Sequence, residues 1–189
     1  MSFVRLCLFF AGLLAAVFLG WAALVGVPGI QLAAVPAQPG LRPYTFEEAH
    51  GRAIYMREGC IYCHSQQTRP EGFGADQKRM WGRPSIPGDY VYDRPHLLGT
   101  SRTGPDLLNI GARQPSRNWH FTHLYNPRAV VPKSIMPPFP WLFEEKSSVG
   151  PSEAVVATPS PGVYLVPTQE GRNLVEYLLS LNRTYPVQR

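Results

Sequence analysis

Cysteine is scarce in this chain. Its 189 residues hold three, Cys7, Cys60 and Cys63, which excludes a framework of several disulfides. Charge is thin as well: only 16% of the residues are Asp, Glu, Lys or Arg, and the 18 basic side chains exceed the 13 acidic ones. The basic residues form no block and no basic helix. Among the partners a basic balance suits, nucleic acid is therefore the least expected, behind an anionic membrane surface and an acidic protein. No internal repeat occurs, so solenoids and propellers are excluded. Sustained hydrophobic periodicity is missing from Ser65 to Thr103, Pro127 to Pro140 and Ser147 to Pro167, and these stretches read as irregular.

Proline and glycine are plentiful, at 20 and 17 residues, and much of the chain must be loop. One long apolar run, "LCLFFAGLLAAVFLGWAALVGV", extends from Leu6 to Val27 without a charge. As a helix it spans roughly 33 Å, enough to cross a hydrocarbon core of about 30 Å. Arg5 and the amino terminus precede it, and no charge follows until Arg42. This bias places residues 1–5 in the cytoplasm and the rest outside. The competing reading is a signal peptide cut after Ala37, but its apolar region would usually be shorter. Gly12, Ala16 and Gly20 share one face of this helix, which suits a membrane partner. Cys7, inside the run, reads as an inert apolar residue.

The expected organisation is a cytoplasmic terminus (1–5), an anchor (6–27), a Pro- and Gly-rich linker (28–44) and one mainly α domain (45–189) with a long insertion loop (66–101). "TFEE" from Thr45 is a capping box that opens a helix to about Arg57, ended by Gly59. Short helices are expected from Asp106 to Ile110 and from Arg117 to Tyr125. An amphipathic helix capped by Thr168 carries Leu174, Val175, Tyr177, Leu178 and Leu181. The first and last domain helices are expected to cross, with Gly51 and Tyr55 meeting Tyr177 or Leu178.

The run Cys60-Ile61-Tyr62-Cys63-His64 has the spacing that attaches a c-type haem. Two thiols add to the two vinyl groups, and the adjacent imidazole is placed beneath the iron. A zinc site would need further ligands, and no cysteine remains outside the anchor. A thioredoxin-like dithiol would sit in an alternating strand–helix pattern, which this chain lacks. His64 is thus the proximal ligand candidate. For the opposite face Met136, in the proline-stiffened "KSIMPPFP", is favoured over Met80, with His50, His96, His120 and His123 as rivals. A thioether opposite histidine raises the potential relative to two histidines and leaves the iron no open position. A ligating histidine usually donates its other ring N–H to a carbonyl, and the Pro105 carbonyl in "RTGPDL" is the candidate acceptor. Arg102, Arg113, Arg117 and Trp119 are candidates to meet the haem propionates. No acid–base pair or activated nucleophile stands out, and no chemistry beyond one-electron transfer is expected of the chain alone.

The stretches "GRAIYMREGCIYCH", "YDRPHLLGTSRTGPDL", "WHFTHLYNPRAVVPKSIMPPFPWL" and "LVEYLLSL", in this order, resemble the monohaem subunit II of cbb-type haem-copper oxidases, the FixO or CcoO type. The segments Pro70 to Asp89 and Glu144 to Val166 depart from that pattern. The resemblance implies a class I cytochrome c domain on a single transmembrane helix in a bacterial inner membrane, with its haem on the periplasmic side. It implies one covalent haem c held by Cys60 and Cys63, with His64 and Met136 as axial ligands and Pro105 orienting His64. The implied partners are a many-helix catalytic haem-copper subunit that reduces oxygen and another cytochrome c as donor. The equivalent subunit of a nitric oxide reductase and a freestanding membrane-tethered shuttle are the alternative readings.

Overall fold

The computed structural model describes residues 2–151 and 153–187; Met1, Ser152, Gln188 and Arg189 lie outside the described residues. The chain opens with one long apolar helix, α1 (Phe3–Ala33), none of whose most apolar stretch is buried within the molecule. It is longer than the run expected at 6–27 and continues through Pro28. Proline inside a helix removes one backbone hydrogen bond and crowds the preceding turn. Here the turn before it, Ala22–Gly26, widens to π geometry, which accommodates the ring without ending the helix.

The expected linker is accordingly split. Residues 28–33 belong to α1, and part of 36–44 is docked on the domain. Gln38 is buried and its N–H donates to the Gly88 carbonyl at 3.4 Å. The Tyr185 ring lies where a side chain at position 40 would point, so only glycine fits there. Tyr44 donates its hydroxyl to Asp93 at 2.8 Å and packs edge-on against Tyr177.

The domain is built on two crossing helices, α2 (Phe46–Arg57) and, at the far end of the sequence, α6 (Gln169–Ser180). Both start where their caps predict. Thr45 accepts from the Glu48 N–H, and the Glu48 carboxylate accepts from the Thr45 N–H; Thr168 accepts from the Gly171 N–H. These bonds satisfy N–H groups that a helix start leaves unpaired. At the crossing, a Cβ on Gly51 would overlap the Asn173 carbonyl. The Tyr55 and Tyr177 rings meet edge-on with centroids 5.5 Å apart, an arrangement that adds ~1 kcal/mol to area burial. Leu174, Val175, Leu178 and Leu181 complete the core, with Leu142, Phe121 and Leu124 beneath them.

In sequence between these two helices come α3 (Ile110–Arg113), α4 (Arg117–Tyr125) and the single turn α5 (Pro127–Val130). The helix expected at 106–110 begins later, at Ile110. The Asp106 side chain accepts from Leu108 N–H at 2.9 Å, a local turn that competes with helix. A further difference lies in the segment 143–167, of which residues 147–167 are expected to be irregular. It forms an antiparallel three-stranded sheet of β1 (Phe143–Lys146), β2 (Ala157–Ser160) and β3 (Val163–Pro167) in the order β1-β3-β2. Phe143 pairs with Pro167 and Lys146 with Tyr164. Gly162, with φ of 78°, makes the turn between β2 and β3.

Candidate haem-binding site

The helix α2 is stopped at Gly59, whose φ of 73° lies in the left-handed region where other residues are strained. The chain then turns through Cys60–Tyr62 and presents Cys60, Cys63 and His64 in succession. Cys60 packs against the core, while Cys63 is exposed. Burial, aided by the Glu58 carboxylate, pushes the Cys60 thiol up to about 12. An attacking thiol needs the opposite shift, so Cys60 is not the nucleophile of a redox dithiol.

His64 is held rather than merely placed. Its Nδ1–H donates to the Pro105 carbonyl at 2.7 Å, which leaves Nε2 as the lone-pair nitrogen. Burial keeps the imidazole below its usual pKa, against the pull of the Pro105 carbonyl and Asp106 and with the help of Arg113. The ring is therefore neutral and able to ligate at neutral pH. Gly104 lies directly beside it: a Cβ there would overlap the imidazole. Two backbone bonds run alongside, from Gly104 N–H to Cys63 O and from Leu107 N–H to Ser65 O, each 2.8 Å.

Met136 is half-buried against the same hydrophobic cluster as Cys60. The Phe139 N–H, bonded to Leu124 O at 2.9 Å, fastens its segment to α4. The rivals are placed differently. Met80 is 80% exposed. His50 is exposed and packs on Phe46, and His96 is exposed. His120 is buried, with Nε2 on the Gln114 carbonyl at 2.8 Å. His123 stacks on Trp119 at 4.8 Å; burial, then the fields of His120 and His64, hold it down to about 4.

The expected propionate contacts divide. Arg102 points into the protein: it pairs with Asp76 and donates to Ser65 Oγ at 2.9 Å and to Gln67 O at 2.6 Å. Buried carboxylates attract its guanidinium more strongly than an exposed edge could. Arg117 pairs on the surface with Glu176 at 2.7 Å, and Trp119 is engaged with its two histidine neighbours. Arg113 remains. Burial holds it below its usual pKa. One of its terminal N–H groups donates to Asp106 O, while its buried Nε has no hydrogen-bond partner among the described residues. An orphaned buried donor costs about 1–3 kcal/mol, and a carboxylate of a bound group would relieve that cost.

Two thiols, a neutral imidazole of fixed orientation, a half-buried thioether and an orphaned guanidinium donor fit a haem c. Sequence reading missed Ser65, Asp76 and Asp106, which brace the loop; the only signal was an acid directly after "GP".

A family model described as "Cytochrome C oxidase, mono-heme subunit/FixO" matches residues 4–167. The chain belongs to the FixO family. It is thus a monohaem subunit of a cytochrome c oxidase, and its catalytic partner lies in the membrane. The match runs through the 144–166 segment expected to depart from the family, and stops before α6. A search of curated proteins finds no match. The apolar α1 of this FixO-family chain fits a membrane anchor.

Proposed function

We propose that the chain is the electron-relay subunit of a cbb-type oxidase. It would carry one covalent haem c in a class I cytochrome c domain on the periplasmic face of a bacterial inner membrane. Bound there, the haem supplies reversible one-electron chemistry. Cys60 and Cys63 would tether it, His64 Nε2 and the Met136 thioether would ligate its iron, and the Arg113 Nε–H would meet a propionate. With both iron ligands supplied by the protein, the subunit would pass single electrons and bind no oxygen itself. It takes them from another cytochrome c and delivers them to the catalytic haem-copper subunit.

The observation that carries this reading is the His64 Nδ1–Pro105 bond, formed immediately after the two thiols on a left-handed glycine turn. It selects the tautomer that ligates and fixes the ring plane. The test is the purified full chain. Its pigment should stay with the protein in acidified acetone, and carbon monoxide should leave the reduced spectrum unaltered. Met136→Ala should keep the haem attached, open the iron and lower the potential. Extraction in mild detergent should bring down an oxygen-consuming complex. Migration alone would favour a shuttle, and a partner that consumes nitric oxide would favour the reductase.

A further inference from the structure

The insertion loop 66–101 reaches back to the loop that carries His64. Asp76, at 1% exposure, is one of its buried carboxylates. One of its oxygens pairs with Arg102 Nη1, and the other accepts the Arg69 N–H at 2.6 Å. Burial alone would push this carboxyl up; the Arg102 fork and the Arg69 N–H outweigh burial and hold it below the ordinary range. With Nη1 engaged, Arg102 directs its other donors at the attachment loop, to Ser65 Oγ at 2.9 Å and Gln67 O at 2.6 Å. Ser65 Oγ then donates to Asp106 Oδ2 at 2.6 Å, which also accepts the Gln67 N–H at 2.8 Å. Ser65 and Asp106 are both fully buried. These residues are sequence neighbours of His64 and Pro105, the two ends of the orienting bond. The braces therefore cross from one side of that bond to the other.

We propose that Asp76 and Arg102 are a positioning pair that holds the Pro105 carbonyl against His64 and thereby sets the reduction potential of the site. This rests on the haem reading above. The insertion loop then has a defined role, which is to supply the buried carboxylate that aims Arg102. A strong bond from Nδ1–H makes the imidazole a richer donor and favours the oxidised iron. Weakening it favours the reduced iron.

The sign of the effect separates positioning from simple charge. Arg102→Gln removes a cation near the site, and Coulomb's law alone then lowers the potential. Loss of positioning raises it. We expect a rise in the full-length protein in detergent, with the methionine-to-iron charge-transfer band retained. Arg102→Lys keeps the charge but not the fork. It should also raise the potential, and it keeps the test decisive should the glutamine variant fail to fold. In both, and in Asp76→Asn, the His64 Nδ1–H of the reduced protein should exchange with solvent about tenfold faster by NMR. Arg57→Gln, a surface control, should move neither reading. A potential that falls in Arg102→Gln, or that stays put in Arg102→Lys with unchanged proton exchange, overturns the inference and leaves the haem assignment standing. Wild-type protein without covalent haem removes both.

Discussion

At the scale of single residues, the site depends on positions where one extra carbon or one proton is decisive. Gly104 is the sharpest case. Its missing Cβ is the space the His64 ring occupies, so Gly104→Ala must displace either the imidazole or the 63–67 loop. The expected outcome is folded protein with reduced covalent haem, or with a spectrum that has lost its low-spin character. Gly150→Ala, which meets nothing within 4 Å among the described residues, should look like wild type. Haem content per chain and the visible spectrum decide between them. His123 supplies a pH dependence. Its folded pKa is about 4, against an ordinary 6.5. Between those values the unfolded chain binds a proton that the folded chain refuses, so stability is complete above about 6.5 and falls as the pH drops toward 4. At about 1.4 kcal/mol per unit, and discounted for the ring's partial exposure, the loss by pH 5 is about 1 kcal/mol. Urea midpoints at pH 7.5 and pH 5 should differ accordingly, and His123→Gln should shrink the difference.

At the scale of elements, the crossing of α2 and α6 is the joint on which the site is mounted, since α2 leads directly into the attachment loop. Gly51→Ala forces a Cβ into the Asn173 carbonyl, a rigid backbone atom of the facing helix. The helices must separate, at a cost of about 3 kcal/mol or more. Chemical denaturation should show it as a lower midpoint. This joint was legible in the sequence because caps and period agree: Thr45 with Glu48, Thr168, and the apolar run from Leu174 to Leu181. The cysteines and His64 were legible because their chemistry is local. The sheet at 143–167 was not. "FEEK" and "ATPS" are too short and polar to alternate, and their strand character comes from pairing with Val163–Pro167. The Asp76–Arg102–Asp106 brace escaped for a similar reason. Its partners are up to 41 positions apart, and nothing in the sequence marks which of many arginines will meet which acid. An arginine near a haem motif, such as Arg102, has two kinds of carboxylate partner, a propionate or an acidic side chain, and only the fold selects the internal one.

At the scale of the whole molecule, α1 and the domain are held by different surroundings. α1 is about 46 Å long over its 31 residues, longer than a ~30 Å hydrocarbon core. Its exposed Phe9, Phe10, Leu13, Leu14 and Leu24 need lipid or neighbouring helices around them. The domain closes its own core without α1, because the buried cluster begins beyond it, with Tyr44 packed alongside. The segment after α1 is where the two regimes meet, and two truncations separate its halves. A chain beginning at residue 34 loses only the helix. It should be water-soluble, keep the melting temperature of the full chain to within about 2 °C, and no longer co-purify with the membrane partner. A chain beginning at residue 45 also loses the Gln38–Gly88 bond, the Arg42–Glu48 pair and the Tyr44 contacts with Asp93 and Tyr177. One buried hydrogen bond and one packed aromatic contribute about 1 kcal/mol each, so it should melt about 10 °C lower. Equal melting temperatures for the two truncations would mean that residues 34–44 are a passive tether. A drop already present in the first would mean that the domain leans on its anchor.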